Sequence, residues 1–165
     1  MNFDSKEELY FSWWLDELIE AGLCVDYMRG VEFELSEPVK RVFEKKLKTK
    51  TKLVEKHLLG GHIYTPDFAV SMSLDMGNRC GFYCKAGHYF VEVKGDYDSN
   101  NMTRLFTINQ KWVYDKYGIL VNLVKIPSFF KKTFTPARYL LTDQTMKPRK
   151  LKYKPRTLKQ FMEEI

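Results

Sequence analysis

Two short runs carry residue types that could do chemistry together: Tyr64-Thr65-Pro66-Asp67-Phe68 and Val91-Glu92-Val93-Lys94-Gly95. Side chains alternate between faces along a strand, so Glu92 and Lys94 are expected on one face and Val91 and Val93 on the other. Asp67, on a neighbouring strand, would bring a second carboxylate to the same point. The carbonyl of Val93 offers a further oxygen. Carboxylate and carbonyl oxygens suit a hard divalent cation. Such a cation can make hydroxide available near neutral pH and offset the charge that builds on a phosphorane. A lysine beside it can position the attacking water or stabilise that charge. The chemistry this set points to is metal-assisted hydrolysis of a phosphodiester.

Pro-Asp alone is a common turn dipeptide, and Glu-x-Lys alone is common on exposed strands. In this order, TPDF followed by VEVKG resembles the signature of the PD-(D/E)xK nuclease superfamily, in particular small phage and transposon-type endonucleases and Holliday-junction resolvases. The likeness covers roughly residues 5 to 120 in order and spacing, and its specific part is the two short motifs. It implies a restriction-endonuclease-like α/β core, a central mixed sheet flanked by helices, and dependence on Mg2+ or Mn2+. It also implies Asp67 and Glu92 as metal ligands, with Lys94 at the attacking water. Those families place a glutamate on the first helix. Ser5-Lys6-Glu7-Glu8 fits that position, so Glu8 carries over as a third acid, catalytic and metal-binding, with Glu7 as the fallback. A capping-box role for Glu8 is the plainer alternative. In the resemblance the helix after VEVKG lies beside the scissile phosphate. Arg104 and Lys111, on one stripe with Thr107, would then contact the DNA backbone, and Gln110 is a further candidate. An ordinary solvated helix face competes with this reading.

The elements that must position these groups follow from periodicity. Ser5 to about Ala21 reads as a helix, with Ser5 and Glu8 as a capping box, Phe11, Trp14, Leu15 and Leu18 as its buried stripe, and Gly22 as its stop. Val31 to Leu35 alternates as a strand. Pro38 to Lys52 is strongly basic and fits strand, helix or loop. Leu53 to Leu59, Gly60-Gly61 and His62 to Ser71 read as a β-hairpin. Ser73 to Gly87 reads as a loop or short hairpin extension. His88 to Lys94 is a strand and Gly95 to Asn101 a turn. Met102 to Tyr117 is a helix burying Met102, Leu105, Phe106, Trp112 and Val113. Ile119 to Ile126 is an apolar strand, ended by Pro127. Beyond it come loop, one strand near Ala137 to Leu141 and a short helix from Thr157. This order gives an α/β arrangement around one sheet, a single nuclease domain over 1–165 with a catalytic core to residue 126 and a basic C-terminal extension over 127–165.

The chain has 165 residues and a formal charge of +6. A positive excess suits an anionic partner. From Lys125 to Lys159 basic residues crowd together, among them Lys147, Arg149, Lys150 and Lys152, interleaved with Phe129, Phe130, Phe134, Tyr139 and Tyr153. That mixture fits phosphate contact with base or sugar stacking; a solvated tail is the bland alternative. DNA is the expected partner, and a homodimer is compatible with the likeness. No run of about eighteen apolar residues occurs, so no membrane span is expected. MNFDSKEELYF does not read as a secretory signal, and a cytoplasmic location is expected, the host cytoplasm if the chain is phage-encoded. Cys24, Cys80 and Cys84 are expected to be reduced. Cys80, Cys84 and His88, with Cys24 or His62, form a weaker zinc candidate at an unusual spacing. A structure-selective enzyme for branched or junction DNA is the favoured expectation. A sequence-specific or nicking endonuclease, a transposase-associated nuclease subunit, and an inactive nucleic-acid-binding protein of the same fold are the alternatives.

Overall fold

The computed structural model describes residues 3–95 and 102–164. The chain divides into two compact units, Met1–Val31 with Pro66–Ile165, and Glu32–Thr65. In the first unit the chain enters α1 (Lys6–Glu20), whose N-cap is Ser5. The Ser5 hydroxyl accepts the Glu8 N–H at 3.2 Å. The Glu8 carboxylate takes the Ser5 hydroxyl at 2.9 Å and the Asp4 N–H at 3.4 Å, a variant of the expected capping box. The helix stops where the Leu23 N–H reaches back to the Leu18 carbonyl, with Gly22 at φ 70°. Only a residue without Cβ holds that conformation at low cost.

A four-stranded mixed sheet forms the centre, in the order β1 (Cys24–Met28), β6 (Phe68–Met72), β7 (His88–Gly95), β8 (Asn122–Ile126). The first three run antiparallel, and β8 runs parallel to β7. A parallel neighbour needs a crossover, and α3 (Met102–Tyr117) lies between β7 and β8 in the chain. On one sheet face Phe68, Val70, Tyr89, Val91, Val93 and Val124 join Phe11, Trp14, Leu15 and Leu18 of α1 in one buried aromatic-rich core. Phe11 and Phe68 meet edge-on at 5.2 Å between ring centres. This is the expected stripe of α1.

Several elements differ from the sequence reading. Ser73 to Gly87 contains a helix, α2 (Leu74–Cys80), capped by Ser73 and ended by Gly81 at φ 73°. Of the glycines that suggested a loop, Gly77 serves packing: a Cβ there would sit 2.1 Å from the Tyr89 hydroxyl. On α3, Phe106 and Val113 are buried as expected, but Leu105 and Trp112 are 49% and 39% exposed, and Asn109 takes the inner position. The 127–165 segment carries α4 (Ser128–Lys132), a 3-10 turn (Ala137–Leu140) where a strand was expected, and α5 (Leu158–Glu163) capped by Thr157. Its Phe129, Phe130, Phe134, Tyr139 and Phe161 belong to the core, so it is not a solvated tail. The turn expected over 95–101 lies largely outside the described residues, as does the side chain of Met102.

The second unit is one long two-stranded ribbon. β2 (Phe33–Ser36) pairs with β5 (His62–Tyr64), and β3 (Val39–Lys46) pairs with β4 (Thr51–Leu59). The reversal is at Leu47 to Lys50, closed by the Leu47 N–H on the Lys50 carbonyl at 2.8 Å. Gly60-Gly61 is therefore not a hairpin turn, as its composition suggested. A Cβ on Gly61 would lie 3.0 Å from the Ser36 carbonyl oxygen, so the glycine allows two backbones to approach where the ribbon passes Pro38. Pro38, which cannot donate to a ladder, interrupts the other strand at the same level.

Candidate active site

Pro66 lacks an N–H, and β6 begins only at Phe68, opposite Val91. Continuing that register by one residue sets Asp67 across from Glu92. The N–H of Val93 thus loses a backbone partner on this edge. The Asp67 carboxylate takes its place, accepting that N–H at 2.7 Å. In extended backbone the carbonyl of a residue leaves on the same side as its N–H, so the Val93 carbonyl shares this edge with Asp67. Glu92 and Lys94 alternate onto one face of β7, and the ammonium donates to Glu92 Oε1 at 2.6 Å. Glu92 is 7% exposed. Asp67, Glu92 and Lys94 are thus brought together.

The electrostatics of the group are dominated by crowded negative charge. Asp67 is pushed up to about 7, first by burial, then by the charge of Glu92 and more weakly by that of Glu8; the Val93 N–H and Lys94 pull the other way. The Asp67 and Glu92 charges repel, and Lys94, paired with Glu92, offsets part of that repulsion.

Glu8 reaches this field from α1 but is committed. It is buried, and its Oε2 receives the Arg29 guanidinium at 2.5 Å while Asp4 shares the same arginine at 3.2 Å. The Arg29 guanidinium also lies 5.0 Å from the centre of the Phe3 ring. Arg29 was not singled out from the sequence. It stands 21 residues from its partner, and no local spacing marks the pair. The fallback acid, Glu7, places Oε1 3.3 Å from where a Cβ on Gly95 would be, immediately after Lys94. Among the described residues no group of three His, Cys, Asp or Glu side chains is arranged to hold a metal ion. The donor set that fits a hard cation is therefore the pair Asp67 and Glu92 with the Val93 carbonyl. Its excess negative charge and all-oxygen chemistry suit magnesium or manganese.

The remaining candidates separate clearly. Arg104 and Lys111 are exposed on α3, and Lys147, Lys150 and Lys152 are exposed in the C-terminal segment. Arg149 is built into the fold. It donates to the carbonyls of Tyr139 and Leu141 and to Asp143, and stacks 4.3 Å from the Tyr139 ring centre. Gln110 donates to the Val121 carbonyl at 2.6 Å, tying α3 to the entry of β8. Cys80 closes α2 inside the core and is pushed up to about 12 by burial, while Cys84 is exposed. His88 approaches Ser71 at 3.3 Å. A hollow of about 830 Å³ is lined by Tyr83, Gln110, Lys111, Tyr114, Asp115 and Leu120, and neither Asp67 nor Glu92 lines it. No protein-family model, no curated protein and no solved structure matches the chain, so the reading of this site rests on its own residues.

Proposed function

We propose that this chain is a metal-dependent DNA endonuclease of the PD-(D/E)xK type with a restriction-endonuclease-like fold. The observation that carries the reading is the convergence of Asp67, Glu92 and Lys94 at the point where β6 leaves the β7 ladder. Burying two carboxylates together is costly unless something positive joins them. Asp67, the Val93 carbonyl and Glu92 would hold magnesium or manganese, and the bound ion would supply Lewis acidity and a water of lowered pKa. Lys94, anchored by Glu92, would orient the attacking water and meet the charge developing on the phosphate. The Val93 N–H holds one oxygen of the Asp67 carboxylate on the strand, and the other would serve the ion. Glu8, paired with Arg29, is better suited to setting the field around Asp67 than to ligation. Glu7, beside Gly95, is the acid on α1 placed to approach a ligand at the end of β7.

The substrate proposed is branched or junction DNA, with Arg104, Lys111, Lys147, Lys150 and Lys152 as backbone contacts and Arg149 holding their segment in shape. Two copies acting together would cut two strands at once. The same chemistry would serve a sequence-specific or nicking enzyme. Labelled junction, flap, nicked and linear DNA incubated with magnesium separates these. Junction cleavage abolished in Asp67→Ala, Glu92→Ala and Lys94→Ala, with DNA binding retained, is the expected result. Cleavage that survives all three substitutions would show the site to lie elsewhere, and preference for one linear sequence would discard the junction reading.

A further inference from the structure

Between Val39 and Leu59 eight lysines and arginines stand against only Glu44 and Glu55, a surplus equal to the +6 of the whole chain. These residues are the strands β3 and β4 with their turn, and all of them except the half-buried Val54 are exposed. The register sorts their charges. Lys40 faces His57, Val42 faces Glu55, Glu44 faces Leu53 and Lys46 faces Thr51 on one side of the ribbon. That side is balanced, two lysines against two glutamates, and Lys40 pairs with Glu55 at 2.8 Å. On the other side Arg41 faces Lys56, Phe43 faces Val54 and Lys45 faces Lys52, with no acid among them.

Directly opposed like charges destabilise a strand pair, and a lone two-stranded ribbon is marginal in water. Two such pairs on one face are therefore a cost that the isolated ribbon does not recover. They mark a surface shaped for a polyanion. The same face of a second copy does not fit against it, since it would present the same cations.

We propose that the Arg41–Phe43–Lys45 and Lys52–Val54–Lys56 face of the β3–β4 ribbon binds duplex DNA by entering its major groove. A B-form major groove, about 12 Å wide and 8.5 Å deep, admits a two-stranded ribbon. Eight residues of β3 span about 26 Å, and the Arg41/Lys56 and Lys45/Lys52 pairs stand about 13 Å apart along it, enough to meet phosphates on both walls. Phe43 and Val54 lie between them and face the floor, where apolar side chains meet thymine methyl groups. This deepens the proposed function, because it assumes DNA as the substrate. It is nevertheless read from binding alone, in chelator, where no cleavage is needed.

The test is the salt dependence of binding to a short fluorescent DNA duplex by the full chain. The variant Arg41→Gln/Lys45→Gln/Lys52→Gln/Lys56→Gln is expected to flatten the slope of log K against log salt by about 3 to 4, close to one unit for each phosphate that is no longer neutralised. A control of the balanced side, Lys40→Gln/Lys46→Gln, is expected to keep the wild-type slope. The charge-preserving Lys45→Arg/Lys52→Arg/Lys56→Arg is also expected to keep it. The loss should be larger on duplex DNA than on duplex RNA, whose deep, narrow major groove excludes a ribbon. Equal flattening in the glutamine variants of both sides, no flattening in either, or loss in the arginine variant overturns the proposal. So does an equal loss on duplex RNA. A wild-type result here with no cleavage of any DNA would refute the nuclease reading and leave the ribbon standing as a binding surface.

Discussion

Asp67 is where burial and neighbouring charge meet, and its behaviour with pH follows from both. Its ordinary value of 3.8 is raised to about 7 in the fold, so from about pH 4 to 7 the folded state keeps a proton that the unfolded chain has released. Stability from the protonated form is complete below the unfolded value and is lost as pH rises through about 7. In chelator, Asp67→Asn is expected to remove this slope. Above pH 7 it should exceed wild type in stability by an amount on the order of a few kcal/mol. Urea denaturation at several pH values measures it; parallel profiles for the two proteins would contradict it. Arg29 is the second test at this scale. Glu8 is buried against it, and removing one partner of a buried pair strands the other. Arg29→Met is expected to cost about 3 kcal/mol, with Glu8→Gln in the same chain restoring most of it. Denaturation of the two single variants and the double variant reads this directly. No recovery in the double variant would mean the pair is not coupled.

Elements reveal what a sequence pattern does and does not carry. The α1 stripe and the β7 alternation were legible because one face of each is buried, and burial writes a period into the chain. Glu92 and Lys94 were legible as a pair because a spacing of two fixes one strand face. The edge site of Asp67 was not, since it depends on where the β6 ladder stops. The Gly60-Gly61 pair misled because two glycines suit a tight turn as well as a close backbone approach, and only pairing tells them apart. Leu105 and Trp112 were placed inward by helical spacing, but Asn109 takes the inner position between Phe106 and Val113. α2 was missed for the same reason: Gly77 reads as a loop residue, yet it is the contact with Tyr89. Gly77→Ala would force its methyl into that ring and is expected to cost about 1–3 kcal/mol. An unchanged denaturation midpoint would show that α2 can shift away freely.

At the scale of the molecule the C-terminal segment is both charge and core. Arg138 stacks 4.5 Å from the Trp13 ring centre, and the Tyr10 hydroxyl bonds Asp143 at 2.7 Å, so α1 is held from this side as well as by the sheet. Removing residues 147–165 takes away Arg149 and Phe161 along with exposed lysines. The truncated chain is expected to melt at a lower temperature as well as to bind DNA with a flatter salt dependence. An unchanged melting temperature would contradict the packing role. Among the described residues no helix is long and apolar enough to cross a membrane. The proposed chemistry depends on Asp67 and Glu92 gathering one divalent cation. Titration of manganese by electron paramagnetic resonance tests this without DNA. Wild type is expected to bind the ion near neutral pH, with binding abolished in Asp67→Asn and in Glu92→Gln. Equal binding by wild type and both variants, or none by wild type, would contradict it.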